Sequence, residues 1–209
     1  GDGLPKVPHE MSIAEIHRVR DDFVAAAQRA LDAGFEWLEL HFAHGYLAQS
    51  FFSKHSNQRT DEYGGSLENR SRFLVETLRA VRAVWPAHLP LTARFGVLEF
   101  DGRDEETLAE SIELAKAFKS EGLDLLSVSI GFTIKETDIP WGAGFLSPIS
   151  KRVRDETGLA TTSAGGFGTP EVAQAAVQDE HLDIVMVGRS HLVDPHWTYA
   201  AARALGKEK

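Results

Sequence analysis

Residues 12–42 read SIAEIHRVRDDFVAAAQRALDAGFEWLELHF, and this stretch sets the rhythm of the whole chain. Ser12 and Glu15 have the spacing of a capping box, in which a hydroxyl and a carboxylate satisfy free amides at a helix start. Ile13, Ile16, Val19, Phe23, Ala26, Ala27 and Ala30 then recur at helical spacing until Gly34 stops the run. Trp37 to Phe42 follows as a strand. A helix leading through a short link into an apolar strand is the repeating unit of parallel α/β proteins.

The unit recurs four times. A helix over about Leu67–Val84 leads to a strand at Leu91–Phe95, and one over about Glu105–Ser120 leads past Gly122 to Leu125–Ile130. Ser147-Pro148 has the cap-then-proline order of a helix start, and that helix leads to Leu159–Ser163. Thr169-Pro170-Glu171 opens another, leading to Ile184–Val187, and a last helix spans about Pro195–Leu205. Gly1 to Pro8, held extended by Pro5 and Pro8, reads as a loop. Links from helix to strand are short, whereas two loops after strands, residues 43–66 and 131–146, are long and polar. Long loops on one face are where α/β proteins build sites.

Five parallel strands joined by helical crossovers make either an open doubly wound sheet or part of a (β/α)8 barrel. A closed barrel takes eight strands and about 250 residues, so the count is short. No linker, repeat or low-complexity tract divides residues 1–209, and one domain is the economical reading. The formal charge of −9 argues against a nucleic-acid surface. There is no cysteine, which excludes disulfides, thiolate metal sites and a cysteine nucleophile. No apolar run suggests a membrane span and the first residues do not resemble a signal segment, so a cytoplasmic location is expected.

Polar residues gather at the strand ends. His41-Phe-Ala-His44-Gly-Tyr46 closes the first strand. Residues three apart point to opposite faces of a straight strand, so the imidazoles converge only if the chain bends at the small Ala43 and Gly45. Two imidazoles can grip one carbonyl or anionic oxygen. A phenol of pKa about 10 stays protonated at neutral pH and can deliver a proton. A metal reading would enlist His55 as a third ligand. From the spacing alone, two ordinary strand-end histidines remain an alternative. Arg94 stands inside a strand where Val, Ile or Leu is expected, and needs either an electron-rich ligand or a structural carboxylate partner. Ala164-Gly165-Gly166-Phe167-Gly168 and Val187-Gly188-Arg189 lie at two successive strand-to-helix turns, where glycine amides and a guanidinium suit a phosphate.

With those residues in place, the chain resembles the old yellow enzyme family of FMN-dependent ene-reductases, and within it the xenobiotic-reductase-like members. The resemblance runs from Leu4 to about Leu205. It is carried by His41-Phe-Ala-His44-Gly-Tyr46 and by Asn57-Gln-Arg59-Thr-Asp61-Glu-Tyr63-Gly64-Gly65-Ser66-Leu-Glu68-Asn69-Arg70. It implies a (β/α)8 barrel, of which this chain supplies strands 4–8, with noncovalent FMN and NAD(P)H as hydride donor. Reduced flavin would pass hydride to an activated alkene such as an enone. By resemblance, His41 and His44 bind the substrate's carbonyl or nitro oxygen and Tyr46 donates the proton. Arg94 lies beside the flavin's N1 and C2 carbonyl, and Gly166, Gly188 and Arg189 hold the phosphate. The long polar run from Asn57 to Arg72 is scaffold. Gly165 departs from the pattern, in which a tryptophan lines the pocket, and implies a roomier site.

The first three strands of the family pattern are absent. Five strands of a barrel leave two open edges and an uncovered interior. The expected partners are therefore a second polypeptide carrying strands 1–3, or a longer chain of which this is a part, together with a small activated alkene or nitro compound. A homo-oligomer is compatible with this reading; nucleic acid and membrane are not expected. A non-catalytic half-barrel that serves as an assembly module, and a His-ligated metal hydrolase, are the alternatives.

Overall fold

A computed structural model describes residues 9–135, 137–179 and 181–207. The loop expected over residues 1–8 lies outside them. Helix α1 (Ile13–Asp32) starts at the expected capping box: Glu15 N donates to Ser12 Oγ, and the Glu15 carboxylate accepts from Ser12 N at 2.8 Å. The chain continues through β1 (Leu38–Phe42), α2 (Leu47–Phe52), α3 (Leu67–Val84), β2 (Leu91–Leu98), α4 (Asp104–Ser120) and β3 (Leu125–Ile130). It ends with α5 (Ser147–Thr157), β4 (Ala160–Ala164), α6 (Pro170–Gln178), β5 (Ile184–Met186), α7 (Arg189–Val193) and α8 (Trp197–Ala204).

All four strand pairings are parallel, and the strand order is β1-β2-β3-β4-β5. A doubly wound sheet reverses its order at a switch point. This one never reverses. With right-handed crossovers, that order puts every helix on one face and curls the sheet into an arc of a (β/α)8 barrel. The register gives each face its character. Leu40, Phe42, Ala93, Phe95, Leu126 and Val128 alternate onto the helix side and join Phe73, Leu78 and Phe118 in the main core. The opposite face carries Glu39, His41, Thr92, Arg94, Ser127 and Thr162. Its polarity is what a lined interior requires. Among the described residues, β1 and β5 each pair on one side only. Near those free edges Phe35, Trp37 and Ile184 are exposed, 43% in the case of Ile184.

Several expectations need correction. The loop after β1 contains α2, and a further short helix, α7, precedes the expected last helix, which runs from Trp197 to Ala204. Leu146, not Ser147, is the N-cap of α5, and Ser147 is already helical. Strand β2 runs on to Leu98 because its register slips between Gly96 and Leu98, prolonging the pairing with β3.

Candidate active site

The bend that brings the histidines together is made by backbone in the left-handed region. His44 has φ +64° and Gly45 φ +69°. A non-glycine residue there costs about 1–2 kcal/mol, so other contacts must hold it. His44 N donates to Ile130 O at 3.4 Å, and His44 Nε2 shares a 2.7 Å hydrogen bond with Ser129 Oγ. Gly45 fits under the β3 loop, where a Cβ would lie 2.6 Å from Phe132 O. The result is convergence: the His41 ring centroid lies 5.0 Å from that of His44 and 5.5 Å from that of Tyr46.

Arg94 is the register partner of His41 on the adjacent strand. Its Nε is buried without a hydrogen-bond partner, and no carboxylate forms an ion pair with it among the described residues. The structural ion pair that the sequence left open is therefore not formed. Burial first, and then the Arg94 charge, lower the pKa of His41. The same two causes, with a contribution from His41, bring His44 down to about 4. Both imidazoles are neutral at physiological pH and can each offer one N–H. Beneath them burial raises the Glu39 carboxyl, while Arg94 opposes the rise.

His44 and Arg94 line one cavity of about 850 Å³ with Ser129, Phe132, Trp141, Phe145, Gly165, Gly166, Gly188 and Arg189. That volume lies within the range of ligand pockets. His41 and Tyr46 adjoin it through their ring contacts. The eight residues singled out in the sequence thus lie at one end of one sheet, around one hollow.

The two glycine turns differ in character. At Gly166 a Cβ would press on Gly142 O and Ala143 Cα, so packing against the β3–α5 loop already demands glycine there. At Gly188 a Cβ would meet nothing within 4 Å, and φ is an ordinary −102°. Packing therefore does not demand glycine at this position. Arg189 is exposed. Gly165 takes φ +138°, and a Cβ on it would lie 2.7 Å from Phe145 Cε1. The space expected to be empty at 165 is occupied by Phe145, which packs on Trp141 at 5.3 Å. Trp141 itself is exposed on the rim.

His55 is elsewhere. Its Nε2 bonds Asp101 Oδ2 at 2.8 Å, so it does not join His41 and His44 as a third metal ligand. The polar run after α2 behaves as scaffold: Asn57 Nδ2 donates to Phe51 O and Tyr63 O, and Arg59 pairs with Asp61. Arg70, almost wholly buried, donates to Phe52 O and Gly65 O and pairs with Glu110. Sequence reasoning missed Ser129 and Phe145. Strand alternation could have placed Ser129 inward; no local signal places Phe145 over Gly165.

Known proteins resemble the chain in sequence and fold. A family profile described as "NADH:flavin oxidoreductase / NADH oxidase family" matches residues 2–208. An NADPH dehydrogenase of Bacillus velezensis is 39% identical over 207 residues, which cover 99% of this chain and 60% of that protein. Morphinone reductase, solved in complex with tetrahydroNAD, superposes with a TM-score of 0.77 at 30% identity, covering 96% of this chain and 52% of that one. An old yellow enzyme homologue from Zymomonas mobilis gives a TM-score of 0.76 at 28% identity, covering 94% and 55%. The chain therefore spans about 60% of the length of the curated relatives it matches. On these likenesses the chain belongs to the NADH:flavin oxidoreductase / NADH oxidase family.

Proposed function

We propose that this chain forms the substrate-handling wall of an FMN-dependent NAD(P)H oxidoreductase that reduces activated alkenes such as enones. One observation carries the reading: an unpaired, partly buried guanidinium, Arg94, stands in a cavity that reaches from the neutral His44 imidazole, beside His41, to the glycine turn at Gly188–Arg189. The chain's residues fit FMN there. The orphaned Arg94 Nε suits the electron-rich edge of a flavin ring, the open space at Gly188 leaves room for a phosphate, and Arg189 offers it a charge. When bound, FMN supplies the hydride chemistry, taking two electrons from NAD(P)H and returning them to the alkene.

The protein's own part is orientation, charge and a proton. His41 and His44 direct N–H groups at the substrate's carbonyl or nitro oxygen and stabilise the negative charge that develops on it. Their neutrality suits this role, because a neutral donor polarises the oxygen without protonating it. Ser129 holds the His44 ring through its shared hydrogen bond. Tyr46, whose ring neighbours His41, donates the proton to the carbon next to the carbonyl. Phe132, Trp141 and Phe145 supply the aromatic lining on the substrate side.

Among the described residues β1 and β5 each have an unpaired edge, and these edges, with the exposed Phe35, Trp37 and Ile184 near them, support the view that further strands complete the barrel. These strands come from a second polypeptide or a longer chain. Mixing the purified chain with FMN, NADPH and cyclohexenone, with and without a fragment carrying strands 1–3, tests the proposal. Turnover in the complemented sample supports it. A complemented sample that binds flavin but does not turn over would favour a non-catalytic assembly module.

A further inference from the structure

The ladder between β1 and β2 ends at the pair Phe42 and Phe95, one residue before Gly96. In a parallel strand the N–H and C=O of one residue point to the same neighbour. Gly96 therefore aims both groups at the space that β1 vacates when it bends through Ala43 and His44. Left bare in the interior, they would cost about 1–3 kcal/mol each. The side chain of Gln49 takes the place of the missing strand: its Nε2 donates to Gly96 O at 3.1 Å, and its Oε1 accepts from Gly96 N at 3.1 Å. Gln49 is 1% exposed. Position 96 must be glycine, since a Cβ would lie 2.5 Å from Gln49 Oε1 and 2.6 Å from Gly131 N.

Gln49 sits on α2, three residues after Tyr46, which is the N-cap of that helix and makes no side-chain capping bond. A six-residue helix has little stability of its own, so its orientation is set by what grips it. At its far end Ser53 Oγ bonds Thr133 Oγ1, which donates to the buried Glu99 carboxylate at 2.6 Å. Gln49 supplies the two buried bonds near the Tyr46 end.

We infer that Gln49 is a positioning residue that fixes the rotation of α2 and so places the Tyr46 hydroxyl over the substrate. The inference rests on the proposed role of Tyr46 as proton donor. Atoms and electrons are those of that reaction; Gln49 itself exchanges no proton.

The test uses the FMN-loaded, strand-complemented protein. Gln49→Met keeps the length of the side chain and removes both hydrogen bonds; it is made in the parent and in Tyr46→Phe, and each half-reaction is followed by stopped flow. In the parent, Gln49→Met should slow alkene reduction roughly tenfold or more, as expected for a small misplacement of a reacting group, with flavin reduction by NADPH little changed. In the Tyr46→Phe background the same substitution should change the alkene step by less than about twofold, since residues acting through one another are not additive. An equal slowing in both backgrounds would show a general structural role and overturn the inference. A Tyr46→Phe variant as fast as the parent would instead overturn the proton-donor reading. If Gln49→Met does not fold, Gln49→Glu, which keeps the acceptor, is assayed in the same two backgrounds. In the unsubstituted protein, amide hydrogen exchange at Gly96 should be as slow as at Phe95, and exchange at loop rates would contradict the pairing.

Discussion

Replacing Gly45 by alanine probes how the bend after β1 is held. Two costs add at this position. A left-handed φ of +69° penalises any L-residue by about 1–2 kcal/mol. The new Cβ would also lie 2.6 Å from Phe132 O, so that carbonyl must retreat by roughly 1 Å to reach ordinary contact. Overpacking of that kind costs about 1–3 kcal/mol. Gly34 is the matched control: its φ is +83°, but a Cβ there meets nothing within 4 Å. Gly34→Ala should therefore show the backbone cost alone. In urea unfolding followed by circular dichroism, Gly45→Ala should lose about 1–3 kcal/mol more than Gly34→Ala, and its thermal midpoint should fall further by roughly 2–12 °C. The Phe132 ring packs on His44 with centroids 5.7 Å apart, so the retreat should also disturb the site. Binding of cyclohexanone, a saturated analogue, should weaken in Gly45→Ala and not in Gly34→Ala. Equal losses of stability and of binding in the two variants would refute the reasoning.

Further outcomes follow from the site's electrostatics and packing. His44, held near pKa 4, stays neutral from pH 8 down to about 5, so its own contribution to cyclohexanone affinity, read as the difference between the parent and His44→Gln in calorimetric titrations, should be flat over that range. Because its folded pKa lies below its ordinary value of 6.5, the folded state binds fewer protons between the two. The stability contributed by neutral His44 is thus complete above pH 6.5 and lost as pH falls towards 4, and His44→Gln should flatten that part of the stability profile. Gly165→Ala should displace the Phe145 ring and cost about 2–5 kcal/mol from strain and overpacking together, with part of the loss recovered by a second change, Phe145→Ala. Urea titration of the two single variants and the pair checks the recovery.

Much of this was legible from residue patterns because the signals were local. The capping box at Ser12, the apolar run of β3 and the proline-led start of α6 each dictate an element within a few residues. The site was legible for a different reason: parallel topology gathers strand ends, so His41, Arg94, Gly165 and Gly188 had to meet if the strands existed. What escaped notice depends on contacts distant in sequence or on segments too short for periodicity. LAQSFF, residues 47–52, spans less than two helical turns and shows no repeat. Ser129 is 85 residues from the histidine it holds, and its hydroxyl looks like any strand serine. Gly165 suggested vacancy because nothing nearby in sequence announces that Phe145 folds over it. The role of Gln49 is invisible for the same reason: it answers a gap in a ladder 47 residues away.

In the proposed function these residues make one wall of a flavin site. Equilibrium titration of FMN into the strand-complemented protein, followed by flavin fluorescence, tests it most directly. The expected result is saturable binding of one FMN per chain, weakened roughly tenfold or more by Arg94→Met, as the loss of a charge-assisted contact implies. No saturable binding, or binding indifferent to Arg94, would contradict it.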